Sequence, residues 1–457
     1  MKHRLPRAAL IVASGATLLL SACVPGASGP SAPQEGGPAI TAPVTVEEVA
    51  ALGETTLDVL ADSGEEGTLA ALEPLYEERY PNVDVRITVK GFDDLMKTVV
   101  NVVSSEGAPD VVQGNQGYAV DGALVEAGLI RNLDDVAAAY GWEEQFGAAT
   151  LEQFRWTEGG AAFGEGALYG VSPVDEFVGV FYNRSELEKL GITTPPKTFE
   201  EFQQALAAAK AAGKVPLMLG NSSKYPANQV FSVVQSAFQA PDATRAWITG
   251  SGENYANPAN LETASIMRQW VEQGYVVEGY DGISPDDAVA KFSAGEGVFL
   301  IGGSWNANAL AEVGGGDGFG FVAPPVGAGG ERTGPGSLGL GWHINAGTQK
   351  LPAAVAFVAM LNDPSFAQQL ADLNRIPVAA DGVTAPNQLF ADAMTAAGEI
   401  RAGGGATFFV DWATPTMADT AGSRLQELLA GRITPQEYVN AVQADWTDFQ
   451  EQRATGR

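Results

Sequence analysis

Carboxylates are the reactive groups that this chain carries in quantity. Asp and Glu number 55 against 26 Lys and Arg, a formal net charge of −29. Two carboxyl groups held across a glycosidic bond can cleave it, one as acid and one as nucleophile or base. Glu66, Asp175, Glu176 and Asp411 could supply such a pair. No spacing singles one out, and acids on so negative a chain are ordinarily solvated surface. Nucleophilic catalysis has less to draw on. Pro335-Gly336-Ser337-Leu338-Gly339 approaches the sharp turn of a serine hydrolase, but Pro stands where the first glycine belongs. His3 and His343 are the only imidazoles, and His343 lies in a glycine-rich stretch where a structural role is the ordinary one. The run Gly314 to Gly320 lacks the flanking strand and helix of a dinucleotide site, and no glycine loop ending in Lys-Ser or Lys-Thr occurs. A single cysteine excludes an intramolecular disulfide and a cysteine-cluster metal site. The acid excess argues against a nucleic-acid partner, whose phosphates would approach against the field. No catalytic residue, metal or cofactor is therefore expected.

The lone cysteine has a chemistry of its own. Lys2, Arg4 and Arg7 precede an apolar run from Ala8 to Ala22. As a helix that run measures about 22 Å, short of the ~30 Å of a hydrocarbon core. Basic start, short apolar stretch and small residues make a secretory signal peptide over 1–22. Its end, Leu20-Ser21-Ala22-Cys23, resembles the lipobox of bacterial lipoproteins, in which the cysteine thiol is acylated and the chain is cut before it. The cut would leave 23 basic residues against 55 acidic ones, a charge of −32. Residues 23–54, rich in Pro, Gly, Ser and Ala at the start, are expected to be the acylated cysteine and a flexible linker.

From Thr55 onward, strand and helix patterns alternate. Leu57 and Val59 read as a strand, and Gly67 to Arg79 as a helix presenting Leu69, Leu72, Leu75 and Tyr76 on one face. Val83, Val85, Ile87 and Val89 alternate with polar residues, the period-two signature of a half-buried strand. A helix through Leu95, Val99 and Val103 and a strand at 109–112 follow. Val178 to Tyr182 and Val298 to Ile301 are strand-like. Thr198-Phe199-Glu200-Glu201 and Thr434-Pro435-Gln436-Glu437 are capping boxes that open helices. Gly314 to Gly341 reads as connecting loop. This alternation predicts α/β layers around a mainly parallel sheet, and its length predicts two lobes.

Four stretches in order resemble the extracellular solute-binding proteins of ABC importers, in the sugar-binding branch that includes maltose-binding protein. They are Leu168-Tyr169-Gly170-Val171-Ser172-Pro173 with Gly179 to Arg184, Pro195-Pro196-Lys197-Thr198-Phe199-Glu200-Glu201, Phe292 to Gly297 with Gly303-Ser304-Trp305, and Leu428 to Tyr438. Phe199 stands where the family more often has Trp. The resemblance implies an α/β, two-lobed periplasmic-binding-protein-like fold with a hinge and an interlobe ligand cleft. It implies a discontinuous N-terminal lobe, 55–173 and 340–380, and a discontinuous C-terminal lobe, 174–339 and 381–457.

The resemblance also implies a carbohydrate ligand, an oligosaccharide, handed to a permease by hinge closure. A monomer tethered by its lipid to the outer face of the bacterial cell membrane would do this without acting as an enzyme. A pyranose offers an apolar face for stacking and a rim of hydroxyls for carboxylates and amides. Carried over position by position, the ligand-binding residues are Trp305, Glu176, Tyr225, Trp412, Asp411, Asn115, Gln116 and Glu66, with Glu65 beside the last, and Trp342 joins them because the returning strand crosses between the lobes there. A core role stays open for Trp342 and Trp412, a hinge salt bridge for Glu176 and a helix-start charge for Glu65 and Glu66. Trp270 and Trp446, on helices with apolar neighbours, read as core. A secreted glycoside-active enzyme, or a binding protein for a cationic ligand, remains an alternative.

Overall fold

The computed structural model describes residues 37–455 apart from 253 and 328–331. The signal segment and Cys23 lie outside the described residues. Thirteen strands occur among them: β1 Thr55–Asp62, β2 Val83–Lys90, β3 Val111–Gln113, β4 Arg155–Trp156, β5 Ala167–Leu168, β6 Val174–Asn183, β7 Leu217–Met218, β8 Phe299–Gly303, β9 Phe319–Val322, β10 Thr333–Leu338, β11 Trp342–Ile344, β12 Ile376–Pro377 and β13 Gly405–Thr407.

The first lobe is built on a sheet of order β11-β3-β1-β2. β1 runs parallel to both β2 and β3, and β11 closes the far edge antiparallel to β3. The alternation in β2 does what its pattern requires: Val83 and Val85 are buried, Asp84 and Arg86 exposed. The helix Glu66–Arg79 buries Leu69, Leu72 and Tyr76 against this sheet. Leu75, expected on the same face, is 40% exposed. The helix Leu351–Leu361 is apolar all round and buried almost throughout, so it fills the lobe's centre where a surface helix would show two faces.

The second lobe differs from the expected parallel sheet. Its sheet, of order β13-β10-β6-β8-β7, is organised on the ten-residue β6, with β12 and β9 also pairing to it. β6 is antiparallel to β8, β9, β10 and β12. Two of these strands, β9 and β10, fall within the stretch read as connecting loop. Glycine there reflects close approach: a Cβ on Gly336 would lie 2.3 Å from the Glu176 carbonyl oxygen. Both capping boxes form as read.

Three passages join the lobes: β5 into β6, β10 into β11, and the segment leading to β12. They converge where Asp175 pairs with Leu338 and Ile376, and where Val171 bridges Trp342. Residues 37–54 depart from the flexible linker expected of them. Val46–Ala50 is a helix with a Thr45–Glu48 capping box, Val49 is fully buried, and the Val44 N–H donates to the Tyr140 hydroxyl at 2.8 Å. Apolar packing and a proper cap hold this segment to the first lobe. No described helix is long and apolar enough to cross a membrane.

Candidate functional site

The carboxyl ends of parallel strands are where an α/β sheet presents its loops to a ligand. Here β1 ends at Asp62 and β3 at Gln113. The turn Ser63–Glu65 follows β1 directly, opened by Asp62 Oδ1 accepting the Gly64 N–H at 2.9 Å. Asp62 N–H donates to Gln113 Oε1, and Gln113 Nε2 donates to Glu65 Oε1, both at 3.0 Å. The other Glu65 oxygen meets Arg375 Nη1 at 2.5 Å, and Arg375 Nη2 meets Glu176 Oε1 at 2.7 Å. One connected polar chain thus runs from the first lobe's strand ends to the crossing strand β6. Burial alone would depress the Arg375 guanidinium, but the two carboxylates raise it above its usual value. Burial pushes the Glu176 carboxyl up even with that cation beside it. Asp62 is pushed up by burial as well, and its Oδ2 has no partner among the described residues.

The second lobe faces this chain with the loop 220–226. Ser223 Oγ donates to Asp93 Oδ2 at 2.7 Å, and the Tyr225 ring meets Phe92 edge-on at 5.7 Å. Phe92 and Asp93 open the first-lobe helix Phe92–Val103, so these contacts span the mouth between the lobes. Burial raises the Tyr225 hydroxyl above its ordinary value, helped by the charges of Asp286, Asp93 and Asp62. Asp62 therefore acts electrostatically on both Glu176 and Tyr225.

Trp305 lies in the turn Ser304–Asn306 that ends β8. Phe177 N–H donates to Ser304 Oγ at 3.3 Å, which ties this turn to β6 one residue beyond Glu176. Its half-buried indole covers Gly303, the last residue of the strand. The Trp305 turn is thus tied to β6, which carries the ion-paired Glu176, while Tyr225 opens the helix Tyr225–Gln235 at the mouth between the lobes. Aromatic, carboxylate and phenol groups of this kind can hold a hydroxylated ring.

The other residues expected at the ligand have varied surroundings. Trp342 is fully buried, packed on Phe357 in the first-lobe core, and leaves a ligand no surface to touch. Gln116 is 3% exposed and spends its amide on Gly339 O at 2.8 Å and Gln153 Oε1 at 3.1 Å, so it secures the β10–β11 passage. Glu66 is exposed as the first residue of its helix, whereas Glu65 turns into the polar chain. Trp412, 3% exposed, packs on Phe163, Phe408 and Phe409 where the second lobe meets Gly117 of the first. Asp411 beside it is half-buried, and burial pushes its carboxyl up to about 6. Asn115 is half-buried, its carbonyl accepting the Asp121 N–H at 3.1 Å. Trp270 is buried, as read, and Trp446 is half-buried against the same core.

Sequence reasoning missed Asp62, Asp93, Phe92, Ser223 and Arg375. The strand-end rule could have found Asp62. Nothing local marks Arg375. His343, read as structural, is buried, with Nδ1 on the Tyr169 carbonyl at 2.8 Å and Nε2 3.2 Å from Asp121.

A model of the bacterial extracellular solute-binding protein family matches residues 61–368. The "Probable sugar-binding periplasmic protein" of Mesorhizobium japonicum is 28% identical over 254 residues, which are 53% of this chain and 55% of that one. The "Multiple sugar-binding protein" of Streptococcus mutans is 25% identical over 47% of this chain and 52% of its own length. The chain thus spans about half the length of these curated relatives. Among solved structures, a chitin oligosaccharide binding protein superposes with a TM-score of 0.74 at 22% identity, covering 87% of this chain and 100% of that one. Maltose-bound MalE3 of T. maritima gives 0.68 at 16% identity, over 86% and 99%. These likenesses show the two-lobed fold.

Proposed function

The chain belongs to the bacterial extracellular solute-binding protein family, and from that premise we propose that it captures a carbohydrate for an ABC importer. The ligand, an oligosaccharide, is held between the lobes, and hinge closure delivers it unchanged to the permease. The turn that bears Trp305, hydrogen-bonded to β6 one residue beyond Glu176, carries this reading, with Tyr225 at the mouth between the lobes. An indole face takes the apolar side of a pyranose, while carboxylates accept from its hydroxyls. The names of the relatives support it too, since several bind sugars. A ligand shifts the hinge only by as much as it prefers the closed state.

Titration of the purified chain with chitotriose, xylotriose, maltotriose and raffinose by calorimetry tests the proposal. Saturable heat with at least one of them, lost in Trp305→Ala, is the expected outcome. No binding to any, or an affinity that Trp305→Ala leaves alone, would refute it.

We further propose that Cys23 is acylated and holds a monomeric protein at the outer face of the cell membrane. The basic start, the short apolar run and the Leu20-Ser21-Ala22-Cys23 ending support this. Cys23→Ser is expected to move the protein from the membrane fraction to the medium. A variant that still sediments with membranes would sink the anchor.

A further inference from the structure

Three segments far apart in sequence meet at one guanidinium. Arg375 directly precedes β12, whose Ile376 pairs with Asp175, so its side chain starts one strand away from Glu176. It contacts Glu65 through Nη1 at 2.5 Å and Glu176 through Nη2 at 2.7 Å, with side-chain exposures of only 11%, 7% and 15% for the three residues. Gln113 holds the second Glu65 oxygen at 3.0 Å. Glu176 Oε2 receives no hydrogen bond from a described residue and lies toward Gly339, where a Cβ would stand 3.0 Å from it. The guanidinium is planar and offers its donors as a rigid fork, so it fixes the direction of both carboxylates as well as neutralising them. A lysine is a point charge and could satisfy one of the two in the same way.

We propose that Arg375 is a positioning residue for ligand binding: it locks Glu65 of the first lobe and Glu176 of the crossing strand into one preset pair of hydroxyl acceptors. The inference rests on the carbohydrate reading. Arg375 acts through the two acids and need not touch the ligand. Ordering the acceptors before the ligand arrives removes a cost that binding would otherwise bear. The guanidinium also draws the Glu176 carboxyl down against burial and the charges of Glu65 and Asp62, which push it up. Without the guanidinium no cation would offset the burial and like charge that push the Glu176 carboxyl up.

The full chain, Arg375→Lys and Arg375→Met are to be titrated with chitotriose, xylotriose, maltotriose and raffinose from about pH 5 to 8, with melting curves alongside. Losing one charge-assisted hydrogen bond predicts about tenfold weaker binding in Arg375→Lys, with melting close to that of the parent. Arg375→Met should lose about a hundredfold, and its binding should weaken more steeply than the parent's as pH falls, because no cation then holds the Glu176 carboxyl down. If Arg375→Met does not fold, Arg375→Lys decides the matter. A parent that binds, with folded variants that match it to within about twofold at every pH, overturns the role of Arg375 and leaves the carbohydrate reading standing. A parent that binds none of the four overturns both.

Discussion

One methyl group at Gly303 tests whether Trp305 forms the ligand surface. Gly303 has φ −75° and ψ 152°, a conformation any residue adopts, so alanine brings no backbone strain. Its methyl carbon would lie 2.1 Å from Cη2 and Cζ3 of the Trp305 indole and 2.2 Å from Cε3. Non-bonded carbons settle at roughly 3.5–4.0 Å, so the ring must retreat by about 1.5 Å. The obstacle is a half-buried side chain rather than backbone, and moving it disturbs its packing on the core. The fold should lose about 1 kcal/mol by this repacking. A displaced stacking aromatic should cost binding about 1.5–3 kcal/mol, or roughly 10–100-fold in Kd. Calorimetry gives the affinity, the tryptophan emission maximum reports the displaced indole, and a melting curve gives the stability. Because both changes remove the same surface, Gly303→Ala with Trp305→Ala should bind no more weakly than Trp305→Ala alone. A shifted emission with Kd within about twofold of the parent would refute the placement of Trp305 at the ligand.

Two further perturbations address the hinge and the core. Ser223→Ala removes the hydrogen bond to Asp93 across the cleft mouth. The ligand-free chain should then populate wider separations of the lobes, read as a larger radius of gyration in solution scattering; an unchanged radius would show that this contact does not hold the lobes together. For His343, burial lowers the imidazole, but Asp121 and the Tyr169 carbonyl outweigh it and raise the pKa above 6.5. A raised folded-state value gives stability that is complete below the unfolded value and fades as pH rises through the folded one. The parent's melting temperature should therefore fall on going from about pH 6 to 9, and Asp121→Asn should flatten that fall; equal slopes in the two proteins would contradict the charged pair.

What the sequence made legible was local. Val83 to Val89 declared their strand because alternation is a property of neighbours, and Thr198 with Glu201 declared a helix start for the same reason. Leu57 and Val59 gave β1, and the strand-end rule then points to Asp62. Trp342 was misplaced although its own period was visible: Trp342 and Ile344 share one face of β11, and that face is core. A crossing strand passes near a ligand without each of its side chains pointing there. β9 and β10 were hidden by glycine and proline, and the glycines there reflect close approach between strands rather than turns. Arg375 was illegible for a different reason. Its partners lie 310 and 199 residues away in the numbering, at Glu65 and Glu176, and only the convergence of three interlobe passages brings them together.

The acid excess that dominates the composition bears on the ligand less directly than its size suggests. The cleft acids are in part engaged by the protein: Glu65 and Glu176 share Arg375, Asp93 takes the Ser223 hydroxyl, and one oxygen of Asp62 caps Gly64 while the other has no partner among the described residues. A cationic ligand would have to compete with a fixed guanidinium for the same carboxylates and would gain only the difference. A neutral polyol asks for something else. Each hydroxyl needs an acceptor with a lone pair to spare, and an ion-paired carboxylate still has one on each oxygen. Holding the acids by an arginine therefore suits hydroxyl recognition and works against cation capture. The remaining negative charge, spread over exposed helix faces such as Glu200, Glu272 and Asp419, keeps the body soluble without choosing what enters the cleft.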